Sequence, residues 1–338
     1  MATVHHDQDA DLTVLDGRTV GIIGYGNQGR AQARNMRDSG LKVIVGNAED
    51  AYRPVAIGDG FGVLSIAEAA READIVVLLL PDEIQPAVYR QHLAPHLKAG
   101  DVLCFASGYN IHYERIVPPA GVDVILMAPR MIGQAVRSLY QRGAGFPCLV
   151  AAHQDASGRA MATALALAKA IGATRFGAFE SSFREETLID LFAEQMLWPG
   201  IIKLCLLYFE KLVAAGCDPE VVTSELYLSG EFVQIARAMI AEGFFEQLKL
   251  HSHTSQYGQL SRMDRMAPKD LLEAVDAAMA EIQSGAFARE WTAEQDKGLP
   301  TLERLRQEAL RHPMNRSEKR LEPLRKMMKA WIQPAGDP

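Results

Sequence analysis

Two carboxylates four residues apart, Asp190 and Glu194, stand in and beside the apolar stretch Leu188-Ile-Asp-Leu-Phe-Ala193. On a helix this spacing puts both on one face. Two negative charges on a face that looks buried repel each other, and a hard divalent cation relieves the repulsion. Oxygen donors without a Cys/His cluster suit magnesium. A salt-bridged pair is the other reading. A second constellation, Gly24-Tyr-Gly-Asn-Gln-Gly29, lies near the start. It follows the β-branched run Thr19–Ile23 and opens a helix-length segment. In that context Gly24 permits a tight turn, Gly26 lets a pyrophosphate approach the backbone, and Gly29 lets the helix sit close to the strand. The bland alternative is a glycine-rich turn with no ligand.

The second strand ends in Gly46-Asn-Ala-Glu-Asp-Ala-Tyr-Arg53. Glu49 and Asp50 offer carboxylates to a ribose hydroxyl and would repel a 2′-phosphate, which favours NAD over NADP. Arg53 is the residue that could still reach a phosphate. Glu49 and Asp50 could also be plain solvated loop charges.

These groups need a frame. Short apolar runs recur at Lys42–Val45, Asp74–Leu80, Val102–Phe105, Asp123–Met127 and Pro147–Ala152, with helical stretches such as Gly29–Ser39 and Ile66–Arg71 between some of them. Continuously apolar strands alternating with helices imply a doubly wound parallel α/β sheet of the Rossmann type. From about Phe183 the strand-like runs stop. Helical spacing takes over in Glu185–Gly216, Asp218–Gly243, Pro268–Gly285 and Thr292–Arg311. We therefore expect a Rossmann domain over 1–182, an all-α domain over 183–332 and a frayed tail at 333–338. Met327, Met328 and Trp331 read as helix packing.

Composition sets bounds. The chain has 338 residues, 48% hydrophobic, with a net charge of −7, enough for two domains with real cores. No dense Lys/Arg run suggests nucleic acid or an anionic membrane as a partner. The four cysteines lie far apart and read as buried thiols of a reducing, cytoplasmic compartment. No apolar run reaches the roughly 18 to 20 residues of a membrane span.

Taken in order, the motifs resemble one family. Asp7-Gln-Asp-Ala-Asp-Leu12, Gly24–Gly29, Leu80-Pro-Asp-Glu-Ile-Gln85, Gly108-Tyr-Asn-Ile-His112, Ala128-Pro129, Asp190-Leu-Phe-Ala-Glu-Gln195, Glu231 and Ser252–Gly258 are similar to the short, class I ketol-acid reductoisomerases. The resemblance covers nearly the whole chain. It implies a knotted helical domain and an active site shared between two subunits of a homodimer or larger homo-oligomer. It also implies a magnesium-driven alkyl shift in a hydroxy-keto acid, followed by hydride transfer from a nicotinamide. It places the cofactor on Gly24, Tyr25, Gly26, Asn27, Gln28, Gly29, Asn47, Glu49, Asp50, Leu80, Pro81, Asp82, Gln85 and Gly133. Asp82 and Glu83 read as shaping their loop and not as proton carriers. The resemblance places metal on Asp190, Glu194 and Glu231, and substrate on Ser252 and Arg130.

Departures cluster at chemical positions. The family's His before its Phe-Asn-Ile-His segment is Ser107 here, a poor proton carrier near neutral pH. His112 is kept and reads as structural. The family's Ala-Pro-Lys-Gly-Pro-Gly is Ala128-Pro-Arg-Met-Ile-Gly133. Arg130 replaces a titratable point charge with a rigid fork that suits a carboxylate, and Met131 and Ile132 make the wall more apolar. Glu231 lies 21 residues before Ser252, as in the family. Four residues before Glu231 stands Tyr227, not a carboxylate, so Tyr227 is expected at the substrate. Glu225 is six residues away, well off the shared face of an unbroken helix. His251 and His253 flank Ser252; one reading has them line the site, and a surface or packing role is at least an equal one.

The expected activity is therefore that of an NAD- and magnesium-dependent oxidoreductase or isomerase. Asp190, Glu194, Glu231, Arg130 and Ser107 form its catalytic set, acting on a small hydroxy or keto acid. Altered substrate positions beside an intact cofactor loop point to a remodelled enzyme of specialised metabolism. Redox-assisted ring closure on a sulfonium-bearing hydroxy acid is one version. An authentic ketol-acid reductoisomerase of valine and isoleucine synthesis is the second reading, and a non-catalytic NAD-binding protein the third.

Overall fold

Every residue of Thr19–Ile23 is buried, and this run is the second strand of a sheet of nine. The strands are β1 (Val4–His5), β2 (Thr19–Ile23), β3 (Lys42–Gly46), β4 (Gly62–Leu64), β5 (Ile75–Leu78), β6 (Val102–Phe105), β7 (Asp123–Pro129), β8 (Pro147–Gln154) and β9 (Gly177–Glu180). The computed structural model describes residues 2–332, and side chains up to Met327. The readings made for Gln333–Pro338, Met328 and Trp331 lie outside these. Met327 is 70% exposed, which corrects its reading as a packing residue.

Six strands run parallel in the order β7-β6-β5-β2-β3-β4. The chain winds outward one way from β2 through β4, then the other way from β5 through β7. This places a crevice at the carboxyl ends of β2 and β5, where doubly wound sheets bind ligands. Both faces are covered, so alternate residues feed two cores. Val20, Ile22, Ile75, Val77, Val102 and Ile125 face one. Ile23, Val76, Leu78, Leu103, Phe105 and Leu126 face the other. This is why the strands read as continuous apolar runs.

The parallel expectation fails at one edge. β8 is antiparallel to β7, and β1 is antiparallel to β9. The helix Gly133–Gln141 returns to the end of the sheet it left instead of crossing over, so β8 must run back. Among the cysteines, Cys104 and Cys148 are buried, whereas Cys205 is half-buried and Cys217 exposed, against expectation.

The chain divides into two compact units between Asp190 and Leu191. The second is helical. Its long segments are more broken than periodicity predicts. A π-helical turn, Ala193–Leu197, separates helix Phe183–Phe192 from helix Trp198–Ala214. Another, Ser224–Leu228, precedes Gly230, whose φ of 76° stops the helix before Glu231–Glu242 starts. Leu299, at φ 64°, breaks the segment expected over Thr292–Arg311, and Pro300 restarts it. Among the described residues no helix is long and apolar enough to cross a membrane.

Candidate active site

The glycine loop has the sterics a dinucleotide needs. Gly24 adopts φ 95°, and a Cβ there would meet Leu80 Cδ2 at 2.7 Å. A Cβ on Gly29 would lie 2.0 Å from the Gly24 carbonyl oxygen, so helix Asn27–Asp38 can close on the turn only with glycine. A Cβ on Gly26 meets nothing within 4 Å, leaving its backbone open to a ligand. This cradle fits a pyrophosphate at a helix N-terminus. Tyr25 contributes backbone alone to the open side. Its ring is buried against Phe61 and its hydroxyl donates to Asp59.

Asn47 braces the rim. Its Oδ1 accepts from Tyr25 N at 2.9 Å, and its Nδ2 donates to Asp50 Oδ1 at 2.8 Å. That Asp50 oxygen also accepts from Tyr52 N at 2.8 Å, so Asp50 organises the loop. Arg53 is held by the carbonyls of Asn47 and Leu64 and pairs with Glu49 at 3.1 Å. Glu49 projects into solvent at the place where a ribose hydroxyl is expected.

The far wall is the loop after β7. Gln28 Nε2 donates to the Met131 carbonyl at 2.8 Å, and a Cβ on Gly133 would fall 2.1 Å from Asn27 O. Gly133→Ala is therefore expected to push these two loops apart and weaken binding of a nicotinamide dinucleotide by at least about tenfold, ~1.4 kcal/mol. Fluorescence titration with NADH and with NADPH checks this, and unchanged affinity for both would refute it.

Behind the wall lies a charge cluster. Arg130 forks between two carboxylates of helix Phe183–Phe192. Its Nη2 donates to Asp190 Oδ1 at 2.5 Å and its Nη1 to Glu186 Oε1 at 3.1 Å. Glu186 is 1% exposed, against 41% for Asp190. Its other oxygen accepts from Gly108 N at 2.6 Å. Burial pushes the Glu186 carboxyl up to about 7; the Gly108 N–H opposes this and the Asp190 charge adds to it. Gly108 is required for this approach, since a Cβ there would sit 2.2 Å from Phe183 O.

Ser107 donates to Asp82 Oδ2 at 3.0 Å. Asp82 also accepts from Gln85 Nε2, which donates to Leu80 O at 2.7 Å as well. Asn110 Nδ2 donates to the Asp82 carbonyl and to Gln85 Oε1. Leu80, Pro81, Asp82 and Gln85 thus form one braced turn after β5, with Ser107 joined to it. His112 sits at the end of helix Tyr109–His112, its ring against Tyr113.

Glu186 is the residue the sequence reading missed. The signal was present, because Glu186, Asp190 and Glu194 recur every four residues. Asp190 turns out to be both a candidate ligand and one half of a salt bridge.

The remaining predicted residues belong to the helical unit. Glu194 falls in the π-helical turn, a geometry common at functional sites. Glu231 is exposed at the first turn of its helix. Ser252 caps helix His253–Arg262, its Oγ accepting from Ser255 N at 3.2 Å, which leaves its proton free to donate. His251 bonds Gln247, and His253 is exposed. Tyr227 donates its hydroxyl to Glu318, so it is engaged inside its own unit. The break at Gly230 removes the unbroken helix on which Glu225 was set off the shared face. Among the described residues of a single chain, no three His, Cys, Asp or Glu side chains gather as a metal site. Asp190 offers hard oxygen donors of the kind a magnesium ion takes, with Arg130 standing as the competing cation at its Oδ1.

Comparison with known proteins agrees with this geometry. Residues 14–177 match the family model for the acetohydroxy acid isomeroreductase NADPH-binding domain. Residues 183–330 match that for the ketol-acid reductoisomerase C-terminal domain. A ketol-acid reductoisomerase (NADP(+)) of Methanopyrus kandleri is 47% identical, covering 97% of this chain and 99% of its own. A putative ketol-acid reductoisomerase 3 of Saccharolobus solfataricus is 46% identical over 93% of this chain and 95% of its own. The structure of an NADH-preferring ketol-acid reductoisomerase from an uncultured archean superposes with a TM-score of 0.91 at 37% identity, covering 95% of this chain and 99% of that one. Glycine cradle, carboxylate helix and full-length likeness converge, and the chain belongs to the ketol-acid reductoisomerase family.

Proposed function

We propose that this protein is an NADH- and magnesium-dependent enzyme acting on a small 2-hydroxy or 2-keto acid, with a substrate site remodelled from that of its relatives. The observation that carries this is Arg130, forked between Glu186 and Asp190. A bound nicotinamide would supply or take a hydride, and magnesium on Asp190 and Glu194, with Glu231 of a second copy, would polarise the substrate oxygens. Arg130 is then released from Asp190 to hold the substrate carboxylate. Glu186, buried and poised near neutrality, moves the proton that Ser107 cannot. Ser107, with Ser252 of a second copy, orients substrate oxygens, and the braced turn at Asp82 fixes Ser107.

Assembly follows from the helical unit. Trp198, Ile202, Phe232, Ile240 and Phe244 are each more than half exposed there. So much apolar surface favours a homodimer or larger homo-oligomer with shared sites.

NADH is the expected cofactor because Arg53 is tied to two carbonyls and Glu49 faces outward. NADH should bind about tenfold tighter than NADPH, the ~1.4 kcal/mol of one like-charge contact. Competitive titration of the two cofactors tests it, and equal affinities would count against the assignment.

Two chemistries fit this site. An alkyl shift and reduction in branched-chain synthesis is favoured by the full-length identity to relatives named for it. A remodelled reaction is favoured by Arg130 and Ser107. In one version a sulfonium-bearing hydroxy acid would be oxidised at its carbinol by NAD, the ketone would lose an α-proton, the enolate carbon would displace the neutral sulfide to close a ring, and NADH would reduce the ketone again, with no net redox change. NADH consumption with magnesium and 2-acetolactate, set beside a 3-hydroxy-2-keto acid that needs no shift, separates them. Turnover of acetolactate establishes the first. Reduction of the second acid alone establishes a remodelled site. If neither acid reacts, release of sulfide from a sulfonium hydroxy acid with NAD is the deciding assay.

A further inference from the structure

A cleft of about 490 Å³ opens in the sheet-bearing unit on residues that the active-site reading does not use. That volume lies in the range of small-ligand pockets, roughly 300–1,000 Å³. Its lining is chemically sorted. Arg184, His112 and His153 supply one cation and two imidazoles, Glu114 supplies one carboxylate, and Ile116 and Phe183 supply apolar wall. Arg184 makes no ion pair with a carboxylate among the described residues. His153 is steadied by edge-on packing against the Phe183 ring, 5.4 Å between centroids. Burial, and then the Arg184 charge, hold the His112 imidazole below its usual range, so it serves as a neutral hydrogen-bonding group. Glu114 holds φ 53°, a left-handed conformation that a non-glycine residue rarely adopts.

From this lining we infer a second, non-catalytic binding site for a small zwitterionic α-amino acid with an apolar side chain. Its carboxylate meets Arg184 and the imidazoles, its ammonium meets Glu114, and its side chain covers Ile116 and Phe183. A simple anion would leave Glu114 opposed to it, and a simple cation would face Arg184. The zwitterion answers both charges, and the apolar wall needs a hydrocarbon.

Two elements serve this cleft and the active site alike. Helix Tyr109–His112 ends in His112 and begins after Ser107 and Gly108. Helix Phe183–Phe192 begins at the cleft with Phe183 and Arg184 and carries Glu186 one turn later. The Gly108 N–H to Glu186 bond joins them at 2.6 Å.

Calorimetric titration of the full-length protein with L-leucine tests the proposal. Its two half-molecules, 4-methylpentanoate and isopentylamine, are the controls. Leucine should bind about tenfold or more tightly than either half. Arg184→Met and Glu114→Gln should each weaken it by about tenfold or more, with NADH affinity unchanged as the check on folding. Arg130→Met should leave leucine binding intact. Failure of leucine to bind, equal binding of either half-molecule, or unchanged binding in Arg184→Met or Glu114→Gln overturns the assignment. Loss of binding in Arg130→Met overturns it too, because the ligand would then sit in the active site.

Discussion

Glu186→Gln should lower kcat by about 10²- to 10⁴-fold, the range of a positioned general acid or base. Glutamine keeps an acceptor for Gly108 N and nearly the same volume, so the loss reports the proton and not the packing. In the parent, activity should depend on a group near pH 7, where burial has placed this carboxyl, and that limb should vanish in the variant. A second readout needs no substrate. The folded protein holds the Glu186 proton more tightly than the unfolded chain, whose carboxyl stays near its ordinary 4.5. The associated stability is fully present below pH 4.5 and is lost as pH rises through about 7. It is on the order of 3 kcal/mol. The Tm of the variant should therefore gain on that of the parent between pH 5 and pH 8. Parallel Tm profiles together with an unchanged kcat would sink the assignment.

Arg130→Met should separate charge compensation from substrate binding. Removing the fork frees Asp190 Oδ1 and leaves Glu186 without its cation. Magnesium affinity should rise by about tenfold, ~1.4 kcal/mol, because the ion no longer displaces a guanidinium. Stability without metal should fall by about 1–3 kcal/mol, less than for a fully buried pair, because Arg130 is 30% exposed. Turnover should fall by about 10²-fold or more as the substrate carboxylate loses its partner. Arg130→Lys keeps the charge without the bidentate geometry and should lie between. Calorimetric titration of magnesium decides it. Unchanged or weaker binding in Arg130→Met would mean that the guanidinium never competes for Asp190.

The sheet-bearing unit was legible because its signals are local. Buried parallel strands are apolar throughout, and the glycine loop advertises its own sterics. β1, β4 and β9 escaped notice because they lie at or next to the edges of the sheet and are only partly buried, so none reads as a continuous apolar run. β8 was seen as a strand, but its direction depends on where a helix returns, which no pattern in its own residues records. In the helical unit, periodicity located the helices and missed their breaks. A π-helical turn leaves hydrophobic spacing almost intact, and Gly230 is one small residue among several. Within the site, Arg130 was singled out for its chemistry, but its partners are 56 and 60 residues away. Glu186 was hidden for the opposite reason, because a glutamate early in a helix reads as an ordinary favourable charge at its N-terminal end.

The break at Gly230 bears on how such a chain can change over time. A continuous helix rotates every later side chain when residues are gained or lost, so an insertion between two ligands on it damages both. Here the widened turn at Ser224–Leu228 and the left-handed Gly230 end one helix before Glu231 begins the next. A change of length before this joint would leave the register of Glu231 and of the helix it begins unaltered. Substitution at Glu225 or Tyr227, on the far side of the joint, would likewise leave the helical setting of Glu231 unaltered.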